Sequence, residues 1–297
     1  MKPTPPDVLA RIDRLELDAK QVVEGYLMGR HRSPRQGFAV EFAQHREYAP
    51  GDDIKHIDWK VYARTERYHL KQYEQETNLV ARLVVDASES MKIGTVADNS
   101  GNLRTKYDTA CILAGALANL LTRQGDSVGL AMPADRLRVN LKASSAVGQT
   151  REILTRLVEG PYAVPSNLGR SVAELGIALG RRGLIFLFSD FLDEVDDLVA
   201  ALRVLKSHKH EVVLFQILDA AELDFPFRRP TLFRGLENLP AITTDPQSIR
   251  ESYLAELGKH LAAVESASRS HEADIVRVRT DDDLGRLLAS YLGKRLA

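Results

Sequence analysis

Three observations predict an α/β fold for this chain: a doubly wound, mostly parallel sheet preceded by an N-terminal helical and β extension. First, apolar runs rich in Val, Ile, Leu and Phe recur from residue 79 onward: "LVARLVVD" (79–86), "GLIFLFSD" (183–190) and "EVVLFQIL" (211–218). Second, these runs are continuous rather than alternating, as strands covered on both faces must be. Third, stretches of helical length separate them, and strands alternating with helices build parallel βαβ units.

The elements follow in order. Residues 6–28 place Val8, Leu9, Ile12, Leu15, Val22, Val23, Tyr26 and Leu27 at helical spacing, which predicts helical pieces with one buried face. "GRHRSPRQGFAVEF" reads as an exposed loop leading into a short strand, and "APGDD" marks a turn. "KYDTACILAGALANLLTRQ" (106–124) is an amphipathic helix stopping before Gly125. "SVGLAM" (127–132) and "RLRVNLK" (136–142) are strands, the second an edge because it alternates Arg with apolar residues. Helices are expected near 147–159, 167–181 and 193–207, then a looser section over 219–245. A long polar helix (246–270), the strand "DIVRVRT" (274–280) and a terminal helix (281–295) complete the chain. Residues 1–78 are accordingly expected to form a separate segment packed on the sheet, and 79–297 the α/β domain.

Composition narrows the function classes. Forty basic against forty-one acidic residues give a net charge of -1, which provides no electrostatic case for nucleic-acid binding or an anionic membrane surface. The single cysteine, Cys111, excludes an internal disulfide and lies in an apolar helical pattern, where a buried inert thiol is expected. The first twenty residues lack a secretory h-region, and no apolar run approaches the roughly 20 residues of a membrane span. A soluble, cytoplasmic protein is expected.

The chemistry is concentrated where strands end. Ligands of open parallel sheets sit beyond the carboxyl ends of the strands. Asp86 follows "RLVV" and Asp190 follows "IFLFS". If those strands are neighbours, their ends lie only ~4.8 Å apart. Two carboxylates that close repel one another unless a cation lies between them. Ser88 and Ser90 add hydroxyls from the first loop, and Ser166 or Asn167 of "VPSNLGR" adds another oxygen. A set of hard oxygens without His or Cys suits Mg²⁺ or Mn²⁺ and disfavours zinc. The competing account makes these residues turn and helix-cap groups. His31, His45 and His56 show no zinc spacing.

"DASES", a later loop hydroxyl and a strand-end "SD" resemble the metal-ion-dependent adhesion site of von Willebrand factor A domains. The resemblance implies a von Willebrand factor A-like, Rossmann-type fold and the metal ligands Asp86, Ser88, Ser90, Ser166 and Asp190. It also implies that the ion accepts an Asp or Glu carboxylate from a partner. The family usually carries Thr at the loop position where this chain has Ser166.

A second resemblance spans nearly the whole chain. The motifs "G-x-H-R-S", "G-x-x-x-E-F", "R-E-Y-x-P-G-D-D", "I-D-W" and "A-R-T", then "VVDASESM", "KYDTA" and "QGDSVGL", resemble bacterial domain of unknown function family 58. Members are often encoded beside MoxR-type AAA+ ATPases, which implies such an ATPase as partner. The motifs at 46–64 suit either ion pairs of Arg46, Glu47, Asp52, Asp58 and Arg64 around Trp59 or a docking surface. The expected function is a non-enzymatic, Mg²⁺-dependent interaction module that assembles, activates or remodels other proteins with that ATPase. The chain has no G-x-x-x-x-G-K-[ST] loop of its own. The alternative is a metal-dependent phosphohydrolase with Asp86 as nucleophile, although Ser88 stands where such enzymes usually place a second Asp.

Overall fold

The structure is a computed structural model describing residues 6–30, 45–47, 62, 67–71, 79–97, 103–179, 182–236 and 240–295. The first helix, α1 (Pro6–Arg30), precedes a small antiparallel ladder of β1 (His45–Glu47) and β2 (His69–Lys71). Then come β3 (Val80–Val85), a 3₁₀ turn (Glu89–Lys92), and a two-residue pair, β4 (Val96–Ala97) and β5 (Leu103–Arg104). Helix α2 (Lys106–Arg123) is followed by β6 (Ser127–Pro133), β7 (Leu137–Ser144), α3 (Gln149–Leu157), α4 (Leu168–Ala178) and β8 (Leu184–Ser189). The chain continues through α5 (Val195–Ser207), β9 (Glu211–Leu218), α6 (Ala220–Asp224), β10 (Thr231–Phe233) and β11 (Ile242–Thr244). It closes with α7 (Pro246–Ser270), β12 (Asp274–Arg279) and α8 (Leu284–Arg295).

Six strands form the central sheet in the order β12-β9-β8-β3-β6-β7. All neighbours are parallel except β6 and β7, so the strand that alternates Arg with apolar residues is the antiparallel edge. Although the central strands read as unbroken apolar runs, their side chains separate with period two. Leu83, Val85, Phe186, Phe188, Phe215 and Ile217 face a core shared with α1, α2, α3 and α8. Val84, Ile185, Leu187 and Leu214 face a second core beneath α4, α5 and α7. The doubly wound α/β fold expected from the sequence is the one observed.

Local chemistry sets the helix limits. Thr105 caps α2 in a reciprocal box with Asp108, and Gly125 adopts φ 83° just beyond its end, a conformation that glycine enters without a Cβ clash. In 219–245 the looser reading gives way to α6 and the β10–β11 hairpin. A five-residue helix is too short to display a 3.6-residue period, so its apolar pattern was silent.

The chain divides into two compact units, residues 1–34 with 79–295 and residues 35–78. Helix α1 therefore counts with the sheet, its Ile12, Leu15 and Val23 buried in the first core. Within the smaller unit Tyr62 and Tyr68 stack with ring centroids 4.5 Å apart. Asp52, Asp58, Trp59 and Arg64, the centre of the expected ion-pair cluster, lie outside the described residues.

Candidate functional site

The strand pair that holds the two aspartates is the topological switch point of the sheet. From β3 the chain crosses by α2 to β6 on one side, while β8 and β9 extend the sheet on the other. Val85 pairs with Phe188, and the Asp86 N–H donates to the Phe188 carbonyl at 2.9 Å. The strands are neighbours, so Asp86 and Asp190 emerge side by side at the carboxyl edge, where open α/β sheets hold ligands.

Both carboxylates are nearly sealed from water: Asp86 is 1% exposed and Asp190 3%. Asp86 Oδ1 accepts from the Ser88 backbone N–H at 3.0 Å, and Oδ2 accepts from Ser189 Oγ at 2.7 Å. Burial and the nearby Asp190 push the Asp86 carboxyl up to about 7, against the donors from Ser189 and Ser88 that favour its ionised form. Ser88 Oγ and Ser90 Oγ lie 3.1 Å apart. Their loop is fixed from both sides: the Ala87 N–H donates to the Pro133 carbonyl at 2.8 Å and the Glu89 N–H to the Val164 carbonyl at 3.0 Å. Glu89 itself turns toward Lys92 at 3.7 Å.

The other loop hydroxyl is engaged elsewhere. Ser166 Oγ donates to Asp193 Oδ2 at 2.5 Å, and Asn167 Nδ2 donates to the Asp135 carbonyl at 3.4 Å. Burial raises the Asp193 carboxyl, with Asp190, Asp197 and Glu194 adding to the rise against the Ser166 hydrogen bond.

Three participants were missed by the sequence reading. Lys106, the first residue of α2, is fully buried, and its Nζ lies 2.7 Å from both Asp190 Oδ2 and Glu222 Oε1. Burial disfavours its ammonium, yet the two carboxylates outweigh that cost and hold the lysine charged. Glu222 Oε2 accepts from the Asp219 N–H at 2.8 Å, closing the capping box of α6. Ser189 is the third. Lys106 reads in sequence as a solvated residue at a helix start, whereas "D-A-A-E" (219–222) is a visible capping-box signature after a strand.

The loop after Asp190 is held in an uncommon backbone state. Phe191 has φ 51°, in the left-handed region that bulky residues rarely enter. Its N–H donates to Ser189 Oγ at 3.1 Å, and its carbonyl accepts from His260 Nε2 at 2.7 Å. The Leu192 N–H donates to Asp190 Oδ1 at 3.2 Å.

The donor chemistry suits a hard divalent cation. Two carboxylates and a pair of hydroxyls from one loop converge, and Asp86 is an acid whose charge lacks full compensation. Among the described residues no group of three His, Cys, Asp or Glu is placed to hold a metal, so any ion here depends on the serine hydroxyls as ligands.

Residues 44–263 match the family described as "Protein of unknown function DUF58", and the chain belongs to that family. Uncharacterized proteins of Mycobacterium bovis and Mycobacterium tuberculosis are 30% identical over 284 residues, covering 94% of this chain and 86% of each relative. Among solved structures, the chain is similar to an aerotolerance-related membrane protein from Bacteroides fragilis (14% identity, TM-score 0.47, covering 73% of this chain and 98% of that one). It is also similar to the SpRpn10 VWA domain (14% identity, TM-score 0.39, covering 71% and 94%). Among the described residues no helix is long and apolar enough to cross a membrane.

Proposed function

We propose that this protein is a non-enzymatic, Mg²⁺- or Mn²⁺-dependent interaction module that works with a MoxR-type AAA+ ATPase in assembling, activating or remodelling client proteins. The observation that carries the reading is the pairing of Asp86 and Asp190 at the switch point, with burial and mutual repulsion leaving Asp86 short of positive charge. Asp86, Ser88, Ser90 and Asp190 would hold the ion, and Ser166 would join them by giving up its bond to Asp193. The ion would supply a Lewis-acidic point for a carboxylate from the partner. The Asp86–Ser90 loop is fixed by backbone bonds to Pro133 and Val164, and the loop after Asp190 by side-chain bonds with Ser189 and His260, so the ligands would be held in place at the carboxyl edge.

Several features weigh against a hydrolase. A small cation can share the Asp86 lone pairs with the Ser88 and Ser189 donors, whereas attack on a bulky phosphoryl group needs an open approach that a carboxylate 1% exposed lacks. Ser88 Oγ, at the position of a general acid, is paired with Ser90 and lacks a carboxyl's proton-transfer chemistry. The ATPase partner is supported by the family resemblance and by the missing phosphate-binding loop in the sequence.

The test is co-purification with a MoxR-type ATPase in Mg²⁺, in EDTA, and with Asp86→Ala. Binding that falls in both EDTA and the variant is expected. Equal binding under all three conditions refutes the metal-gated reading, and turnover of generic phosphate esters abolished by Asp86→Asn refutes the non-enzymatic one.

A further inference from the structure

Lys106 places a fixed positive charge at the point where the candidate site gathers its carboxylates. Its side chain is 0% exposed, so its ammonium lacks any hydration to fall back on. Two contacts of 2.7 Å, to Asp190 Oδ2 and Glu222 Oε1, hold it. Both partners are anchored at their other oxygens, Asp190 by the Leu192 N–H and Glu222 by the Asp219 N–H. Its backbone N–H is tied to the Ile93 carbonyl at 2.8 Å. The ammonium is therefore locked in place rather than free to swing to solvent. It is also held at the first turn of a helix, the end at which the macrodipole disfavours a cation. A charge kept against both burial and dipole is paired with its carboxylates for reasons other than helix formation.

We propose that Lys106 is a tethered counter-cation that weakens the hold of the candidate site on a divalent ion by neutralising Asp190 from behind. The inference rests on the metal-binding reading of Asp86, Ser88, Ser90 and Asp190. A dication that shares Asp190 with the ammonium meets a carboxylate whose charge is already partly compensated, and is repelled by the buried lysine itself. Removing the positive charge leaves Asp190 and Glu222 without their cation, so an incoming metal relieves repulsion as it binds.

The experiment is Mn²⁺ binding, read as free Mn²⁺ by electron paramagnetic resonance, on wild type, Lys106→Met, the double variant Lys106→Met with Glu222→Gln, and Asp86→Asn. Lys106→Met is expected to bind Mn²⁺ roughly tenfold more tightly than wild type or better. Its unfolding midpoint is expected to rise more with added Mn²⁺ than that of wild type. The double variant removes one charge of each sign, avoids a surplus buried carboxylate, and is expected to bind more tightly than wild type by a smaller margin, so a single variant that fails to fold does not decide the matter. Asp86→Asn is expected to lose binding. Equal or weaker affinity in the folded lysine variants overturns the counter-cation role while leaving the metal site standing. Absence of Mn²⁺ binding in wild type and every variant overturns both.

Discussion

Ser189 and Asp86, at the tips of adjacent parallel strands, share a hydrogen bond of 2.7 Å that joins β8 to β3 beyond the last rung of the ladder. Ser189 also accepts the Phe191 N–H at 3.1 Å, so one hydroxyl fixes both the first aspartate and the strained loop after the second. Ser189→Ala leaves a buried carboxylate oxygen and a buried N–H each short of a partner. A loss of roughly 1–3 kcal/mol is expected, measured by urea unfolding. Because the serine donor favours the ionised form of Asp86, its removal is expected to move that carboxyl further above about 7, measured by carbon-detected NMR titration.

The same carboxyl gives the metal-free protein an unusual pH response. Asp86 is near 4 in the unfolded chain and about 7 when folded, so between those values the native state binds more protons than the unfolded one. This contribution is fully present below about pH 4 and is lost as pH rises through about 7. Asp193 and Glu222, also raised by burial, act in the same direction. In EDTA the unfolding midpoint of wild type is therefore expected to fall from pH 4 to 7 relative to that of Asp86→Asn. Parallel curves for the two proteins contradict the assignment.

Arg82 predicts a packing effect remote from the site. It lies on the central strand, 7% exposed, and crosses its paired Gly129 on β6 to donate through Nη1 to the Leu141 carbonyl on β7. A Cβ on Gly129 meets Arg82 Cζ at 2.7 Å and the Ala143 backbone nitrogen at 2.8 Å, and the second of these cannot swing aside. Gly129→Ala is expected to cost about 1–3 kcal/mol by denaturant unfolding.

Cys111 is expected to be silent toward thiol reagents in the native state. It is 4% exposed, and burial, with Asp108 adding, pushes its thiol well above the ordinary range. Labelling by a disulfide reagent is expected to proceed at the rate of unfolding rather than in proportion to reagent concentration.

Much of this architecture was legible because the informative segments are long or sharply punctuated. "GLIFLFSD" announces both a buried strand and its polar stop, and 246–270 is bounded by a capping Asp245 and a Pro at the first helical position. Asp86 and Asp190 could be picked out because strand ends in a parallel sheet converge, and the structure makes their strands neighbours. Lys106 could not, since its burial depends on Glu222 arriving from 116 residues further along the chain. Ser166 shows the opposite limit. Its hydroxyl is placed in the expected loop, but a local pattern does not reveal that Asp193 accepts its hydrogen bond.

The outermost strands have a consequence for solubility. On β7 the exposed positions are Arg138, Asn140 and Lys142, and on β12 they are Asp274 and Arg277. An open sheet has two margins of unpaired backbone, each a template on which a second copy can add a strand. Here each margin presents charged or amide side chains at intervals instead of a flat apolar ribbon. Sheet growth from one molecule to the next would crowd those charges together, so the fold resists edge-to-edge aggregation.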